Sequence, residues 1–249
     1  MLSSHISMRH ALASTLLALA LVLIISGCSL PWQHSSRVKA NLVAKPTAQQ
    51  LLATMQKNFR TVNSFHVIMK TSNLGSTSGS HIQIRSAEGD VVMPDKVKAQ
   101  ASVILSGQNV TVNLISIGAT QYITDPITGQ WRVVKGVLDP RTLTNPDTGI
   151  ISLAGKLQNV STPTDDTVGG IPCWRINGLL DAKYIAFFTG GGVPAGTMLR
   201  TSVCVGKTDG LPYEISVAGR ATSSDTAQTS RTFDISNYNE NISVVAPQV

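Results

Sequence analysis

The sequence predicts an α+β domain, one N-terminal helix and short additional helices packed on a curved antiparallel β-sheet with a single apolar face. Three observations carry this reading. Apolar residues recur at helical spacing along one clear stretch, from Thr47 to Val62. From Ser64 onward the period falls to two, in short runs separated by Gly, Pro, Asn and Ser clusters. A sheet that long curls, and one helix is a small filling for its concave side.

Ahead of the domain, an apolar run from about Ala11 ends in Ile25-Ser26-Gly27-Cys28. A membrane span needs roughly 20 apolar residues. This run is shorter, follows Arg9 and His10, and closes on small residues, as a secretory signal does. A cysteine after two small residues resembles the bacterial lipobox. That resemblance implies a signal peptide over residues 1–27, cleavage after Gly27, a diacylglyceryl thioether on Cys28, and anchoring on the extracytoplasmic face of the cell membrane. Residues 28–46 then comprise the lipidated cysteine and a flexible tether, with Pro31, Ser35, Ser36 and a few basic residues but no apolar period. The domain proper is expected over 47–249 as one unit, long enough for a sizeable core.

Hydrophobic residues make up 42% of the chain and charged ones 14%, which argues against disorder for the bulk of it. The formal charge is +6, and the signal would remove only Arg9 of the charged set. No stretch clusters Lys and Arg with aromatics, so nucleic acid is not an expected partner. The excess fits solubility and a mild attraction to anionic headgroups.

The elements follow in order. Thr47 and Gln50 have capping-box spacing, and Leu51, Leu52, Met55, Phe59 and Val62 form one stripe ending near Arg60 to Asn63. Phe65, Val67 and Met69 alternate with His66, Ile68 and Lys70, and Ile82 and Ile84 follow a Gly/Ser-rich turn, giving a hairpin. Ser86 to Asp90 reads as a turn and Val91 to Met93 as a short strand. Val97, Ala99, Ala101, Val103 and Leu105 form one long strand, and Val110, Val112 and Leu114 the next, joined through Ser106 to Asn109. Gln121 to Thr124 and Gln130 to Val134 flank the turn Asp125 to Gly129. Asp139 to Gly149 is turn-rich, Ile150 to Leu157 a short helix, and Pro163 to Gly170 a loop in which Asp165 and Asp166 read as solvated carboxylates. A strand over Pro172 to Asn177, a helical turn or two over Asp181 to Phe188, and a glycine-rich loop over Thr189 to Gly196 come next. Strands over Leu199 to Val205, Tyr213 to Gly219 and Thr229 to Ile235 complete the chain.

With Cys28 lipidated, Cys173 and Cys204 remain as an even pair in an oxidising compartment. Trp174 and Ile176 share one strand face and Leu199, Val203 and Val205 another, which puts both cysteines off the apolar side. If those strands are antiparallel neighbours, a Cys173–Cys204 disulfide is geometrically reasonable. No C-x-x-C occurs, and the histidines beyond the anchor region are His66 and His81, so neither a metal nor another cofactor is expected.

The inward residues include Ala99 and Ala101 beside Val97 and Val103, which leaves room inside the curl. Either the other helical segments fill it or an acyl chain does. The expected lining is Phe59, Val67, Met69, Val97, Ala99, Ala101, Val103, Val112 and Val203. Ordinary core packing is the plain alternative for each.

A resemblance sharpens this. The segments Val62-Asn63-Ser64-Phe65-His66, Gly89-Asp90-Val91-Val92, Pro94-Asp95-Lys96, Ile117-Gly118 with Tyr122, Asp125 to Trp131, Asp209-Gly210-Leu211-Pro212, and Arg231-Thr232-Phe233 with Asp234 and Tyr238 run in order along the chain. Together with the lipobox at Cys28 they resemble the actinobacterial LppX/LprA/LprF/LprG group of lipoproteins, whose fold is similar to the carriers LolA and LolB. The resemblance implies a half-barrel around a helix, an apolar cavity for acylated lipid or glycolipid, carriage within the cell envelope and an envelope transporter as a partner. The protein is expected to act as a monomer.

Catalytic signatures do not hold up. Gly75 to Gly79 has Thr77 where a nucleophile elbow needs serine. Gly206-Lys207-Thr208 has Thr201 where a phosphate loop needs its first glycine. No enzyme is expected. The competing reading is a non-enzymatic structural or signalling lipoprotein with a filled core, binding a protein or cell-wall partner through Trp131 or the Gly190 to Pro194 loop.

Overall fold

In the computed structural model, the Thr47 hydroxyl accepts from the Gln50 backbone N–H at 3.2 Å, and the Gln50 side chain accepts from Thr47 N–H at 2.9 Å. This reciprocal cap opens helix α1 (Ala48–Phe59) as the spacing predicts. The structure describes residues 45–75, 83–136, 140–145, 149–186 and 196–249. Cys28 with the expected signal and most of the tether, the Gly75 to Gly79 motif beyond Gly75, and the Gly190 to Pro194 loop lie outside them. All the described residues fall in the contact unit Ala44–Val249.

After α1 the chain forms β1 (Ser64–Ser72), β2 (Gln83–Val92), β3 (Lys96–Leu105), β4 (Gln108–Ile117), β5 (Thr120–Thr124) and β6 (Trp131–Val134). A short helix α2 (Pro140–Thr144) and a 3-10 segment, Ile150–Lys156, follow. Then come β7 (Thr164–Val168), β8 (Ile171–Asp181), a 3-10 turn Ala182–Ile185, β9 (Met198–Gly206), β10 (Pro212–Ala218) and β11 (Ser230–Ser236). The strands form one 11-stranded antiparallel sheet in the order β6-β5-β4-β3-β2-β1-β11-β10-β9-β8-β7. The last strand returns to the first, with Val67 opposite Ile235 and Met69 opposite Phe233, and so joins two meanders into a curved open sheet.

Helix α1 packs on the concave side. Leu51, Leu52, Met55 and Phe59 share a core with Ile176 of β8, Val203 and Val205 of β9, and Ile235 of β11, and that core reaches Phe65, Val91 and Val97 at one end of β1 to β3. Two devices fix the helix. The Asn58 side chain donates to the Asp209 carbonyl at 2.7 Å, and Gly210, with φ +68°, lets the β9–β10 turn come so close that a Cβ there would stand 2.8 Å from Asn58 Nδ2. Phe59, Phe65, Tyr238 and Tyr213 pack in sequence, tilted or edge to face, with ring centroids 5.5, 6.4 and 5.7 Å apart. Burial pushes the Tyr238 hydroxyl above its ordinary range. Burial, aided by a 2.5 Å hydrogen bond donated to the Asp209 carboxylate, pushes Tyr213 up to about 12.

On the outer face, Cys173 and Cys204 are bonded with Cα atoms 5.6 Å apart, and neither is exposed. They sit diagonally across the β8–β9 ladder, where Cys173 faces Gly206 and Arg175 faces Cys204. Arg175 shares that face. It donates to Asp166 and Glu214, each at 2.5 Å, and to the Ser202 hydroxyl at 3.0 Å.

The turn-rich stretch Asp139 to Gly149 contains the short helix α2, and two further segments differ from the sequence expectation. Residues Ser86 to Asp90 are strand, because Gly89 is held where β2 and β3 approach too closely for a side chain, and Ser86 marks a register shift. Pro163 to Gly170 includes the edge strand β7, whose polar composition hid it; Asp165 pairs with Lys207 and Asp166 with Arg175, so neither is a merely solvated carboxylate.

Candidate functional site

The half of the concave face that α1 does not cover is hollow. Strand register lays its floor out in rows. One row runs Ile235, Val67, Gly89, Ala99, Leu114, Ile123 and Arg132 from β11 to β6. The next runs Phe233, Met69, Ala87, Ala101 and Val112. In both rows the β2 and β3 positions are Gly or Ala. The side chains that would meet across the curl are therefore missing where it is deepest, and a cavity of about 390 Å³ lies over them. Its size falls within the usual range for small-molecule sites.

The lining is almost wholly hydrocarbon. Two charged residues border it, Glu88 and Arg132. Glu88 turns outward, with its carboxylate 3.5 Å from His66 Nε2 on the opposite face. Arg132 lies on the inward side, opposite Ile123, at the rim formed with Thr124 and Pro126. Ala99, Ala101, Val110, Val112, Leu114 and Ile123 are only partly buried, because no element of the described chain packs over them. Such a surface gains by covering itself with apolar material.

Of the residues expected to line the cavity, Val67, Met69, Val97, Ala99, Ala101, Val103 and Val112 do so. Val203 lines a separate cavity of about 50 Å³, under the Ile150–Lys156 segment, which shares Ile150, Ile215 and Phe233 with the large one. Phe59 lines neither; it is 3% exposed, in the core between α1 and the sheet. The helical stripe identifies the buried side of α1 but not which half of the sheet that side meets. Gly89 and Ala87, which complete the floor, were hidden by the turn-like composition of Ser86 to Asp90. Gly89 two positions on from Ala87, matching the small Ala99 and Ala101 of β3, was the available signal.

Among the described residues, no group of three or more His, Cys, Asp or Glu side chains could hold a metal ion, and no helix is long and apolar enough to cross a membrane. What the arrangement can do is shield hydrocarbon from water.

A long antiparallel sheet curled over one helix, with an apolar hollow on its uncovered half, defines a half-barrel binding fold. The LppX_LprAFG lipoprotein family model matches residues 47–244, and the chain belongs to that family. The structure is similar to that of LprF from Mycobacterium bovis, with a TM-score of 0.64 at 20% identity over 80% of this chain and 96% of that one. It is also similar to the lipoprotein LppX from Mycobacterium tuberculosis, with a TM-score of 0.56 at 19% identity over 78% of this chain and 98% of that one. No curated protein matches the sequence significantly.

Proposed function

We propose that this protein is a membrane-anchored envelope lipoprotein that holds the acyl chains of a lipid or glycolipid in its large cavity and carries that lipid within the cell envelope. The observation that carries the proposal is the Gly89, Ala87, Ala99 and Ala101 floor beneath about 390 Å³ of apolar space. A hydrocarbon chain gains roughly 0.8 kcal/mol for each CH₂ removed from water. Water would gain little there, since it needs two or more polar partners.

Anchoring belongs to the same proposal. Cys28 carries the diacylglyceryl group, cleavage removes residues 1–27, and the segment from Cys28 to Pro46 tethers the domain at the extracytoplasmic face. Membership of a lipoprotein family supports this. The protein acts without catalysis, as a monomer that passes its lipid to or from an envelope transporter.

Displacement of a fluorescent acyl probe tests the proposal. A probe bound in the cavity emits at shorter wavelength and is released by competing acylated lipid. No change in emission on mixing would contradict it.

A further inference from the structure

The β5–β6 hairpin lends Ile123, Thr124, Pro126 and Arg132 to the cavity, but the tip of its turn does not enter it. Its turn, Asp125 to Gln130, is built to stand rigid. Asp125 Oδ1 accepts from the Ile127 and Thr128 backbone N–H groups, each at 3.0 Å. Asp125 N–H donates to the Gln130 carbonyl at 2.8 Å, and Gly129 N–H donates to the Asp125 carbonyl at 2.9 Å. Hydrogen bonds from Thr128 and Ile127 hold the Asp125 carboxyl below its ordinary range. The residue this turn displays is apolar. Ile127 is 92% exposed, and Val133 on the returning strand is 55% exposed.

Pro126, next to Ile127, lines the cavity rim together with Thr124 and Arg132. A surface that buries Ile127 therefore meets the opening through which an acyl chain would pass. Along β6, leading away from the turn, Trp131 is partly buried, Arg132 is exposed on the inward side, and Lys135 is exposed just past the strand's far end. Apolar tip, flanking Trp and adjacent cations are the composition of an interfacial contact with anionic lipid. Strand addition by another protein fits less well, because β6 is short and an edge carrying charged side chains resists pairing.

We infer that the β5–β6 hairpin docks on an anionic lipid surface, inserting Ile127, and so sets the cavity rim against the bilayer from which lipid is taken. The inference rests on the cavity reading for its purpose, but not for its test. Acyl chains would then move from bilayer to cavity without crossing water.

The experiment uses the full lipidated chain in phosphatidylcholine vesicles with and without phosphatidylglycerol. A nitrobenzoxadiazole label is placed on Ile127→Cys and, as a control, on Thr164→Cys at the opposite sheet edge. The label at 127 is expected to shift to shorter wavelength, to be quenched by doxyl-labelled lipid, and to do both more strongly with phosphatidylglycerol. The label at 164 should report water. Arg132→Glu with Lys135→Glu should remove the phosphatidylglycerol dependence. Ile127→Asp, exposed and so harmless to folding, should slow uptake of a fluorescent diacyl lipid from vesicles about tenfold or more while leaving the amount bound at equilibrium unchanged. Water-like emission at 127 overturns the inference, even if lipid is recovered from the cavity. Insertion at 127 with no lipid ever recovered leaves the docking surface in place and removes the carrier reading instead.

Discussion

Gly89 faces Ala99 across the β2–β3 ladder, and a Cβ on Gly89 would stand 2.6 Å from the Ala99 methyl and 2.5 Å from the Lys98 carbonyl oxygen. The two strands bend together here, and the cavity lies above the point of contact. Gly89→Ala should destabilise the domain by about 1–3 kcal/mol, because backbone or a packed methyl must give way. Urea titration checks this, and an unchanged midpoint would mean that the close approach is not constraining.

Ala101 lies between Ala87 and Val112 on the same floor, where filling the space tests its use. Ala101→Trp should reduce lipid loading several-fold while changing the unfolding free energy by no more than about 1 kcal/mol, since the indole enters existing space. Val103→Trp should act in the same direction. Parallel measurements of loading and denaturant midpoint separate the two effects, and loading equal to that of the native protein would take these positions out of the site.

The Cys173–Cys204 bond closes a loop between residues 31 apart in sequence. Replacing both with alanine should lower stability by about 3–4 kcal/mol on the chain-entropy account. Since both lie on the outer face, lipid loading of the folded fraction should not change. Calorimetry beside a loading assay gives both numbers.

Tyr213 predicts an alkaline transition. Its hydroxyl is raised from 10.0 to about 12 in the folded protein, first by burial and then by the bond to Asp209. The folded state therefore holds this proton more tightly than the unfolded one. The associated stability is fully present below pH 10 and is lost as pH rises from there through about 12. Unfolding monitored against pH should show the loss in that window, and Tyr213→Phe should flatten it.

Much of the architecture is legible in the residues because alternation and capping are local signals. Thr47 and Gln50 mark the start of α1, and the faces of Trp174 and Val203 place both cysteines on the outer side. Relations between distant segments are harder to read. Gly89-Asp90 looks like a turn until Ala99 is set against it, and Thr164 to Val168 looks like a loop until Arg175 and Lys207 supply partners for Asp166 and Asp165. Phe59 shows the same limit for the cavity, since period alone cannot say where along the sheet a helix lies. The buried Asp225, which accepts from Ala221 and Thr222 N–H groups and from both terminal nitrogens of Arg231, carries no local pattern at all.

The most direct test of lipid carriage is native mass spectrometry of the protein purified from its own envelope without added lipid. The account predicts a noncovalent adduct with the mass of an acylated lipid, released on collisional activation and diminished in Ala101→Trp. A bare protein mass, the same for native and variant chains, would contradict it.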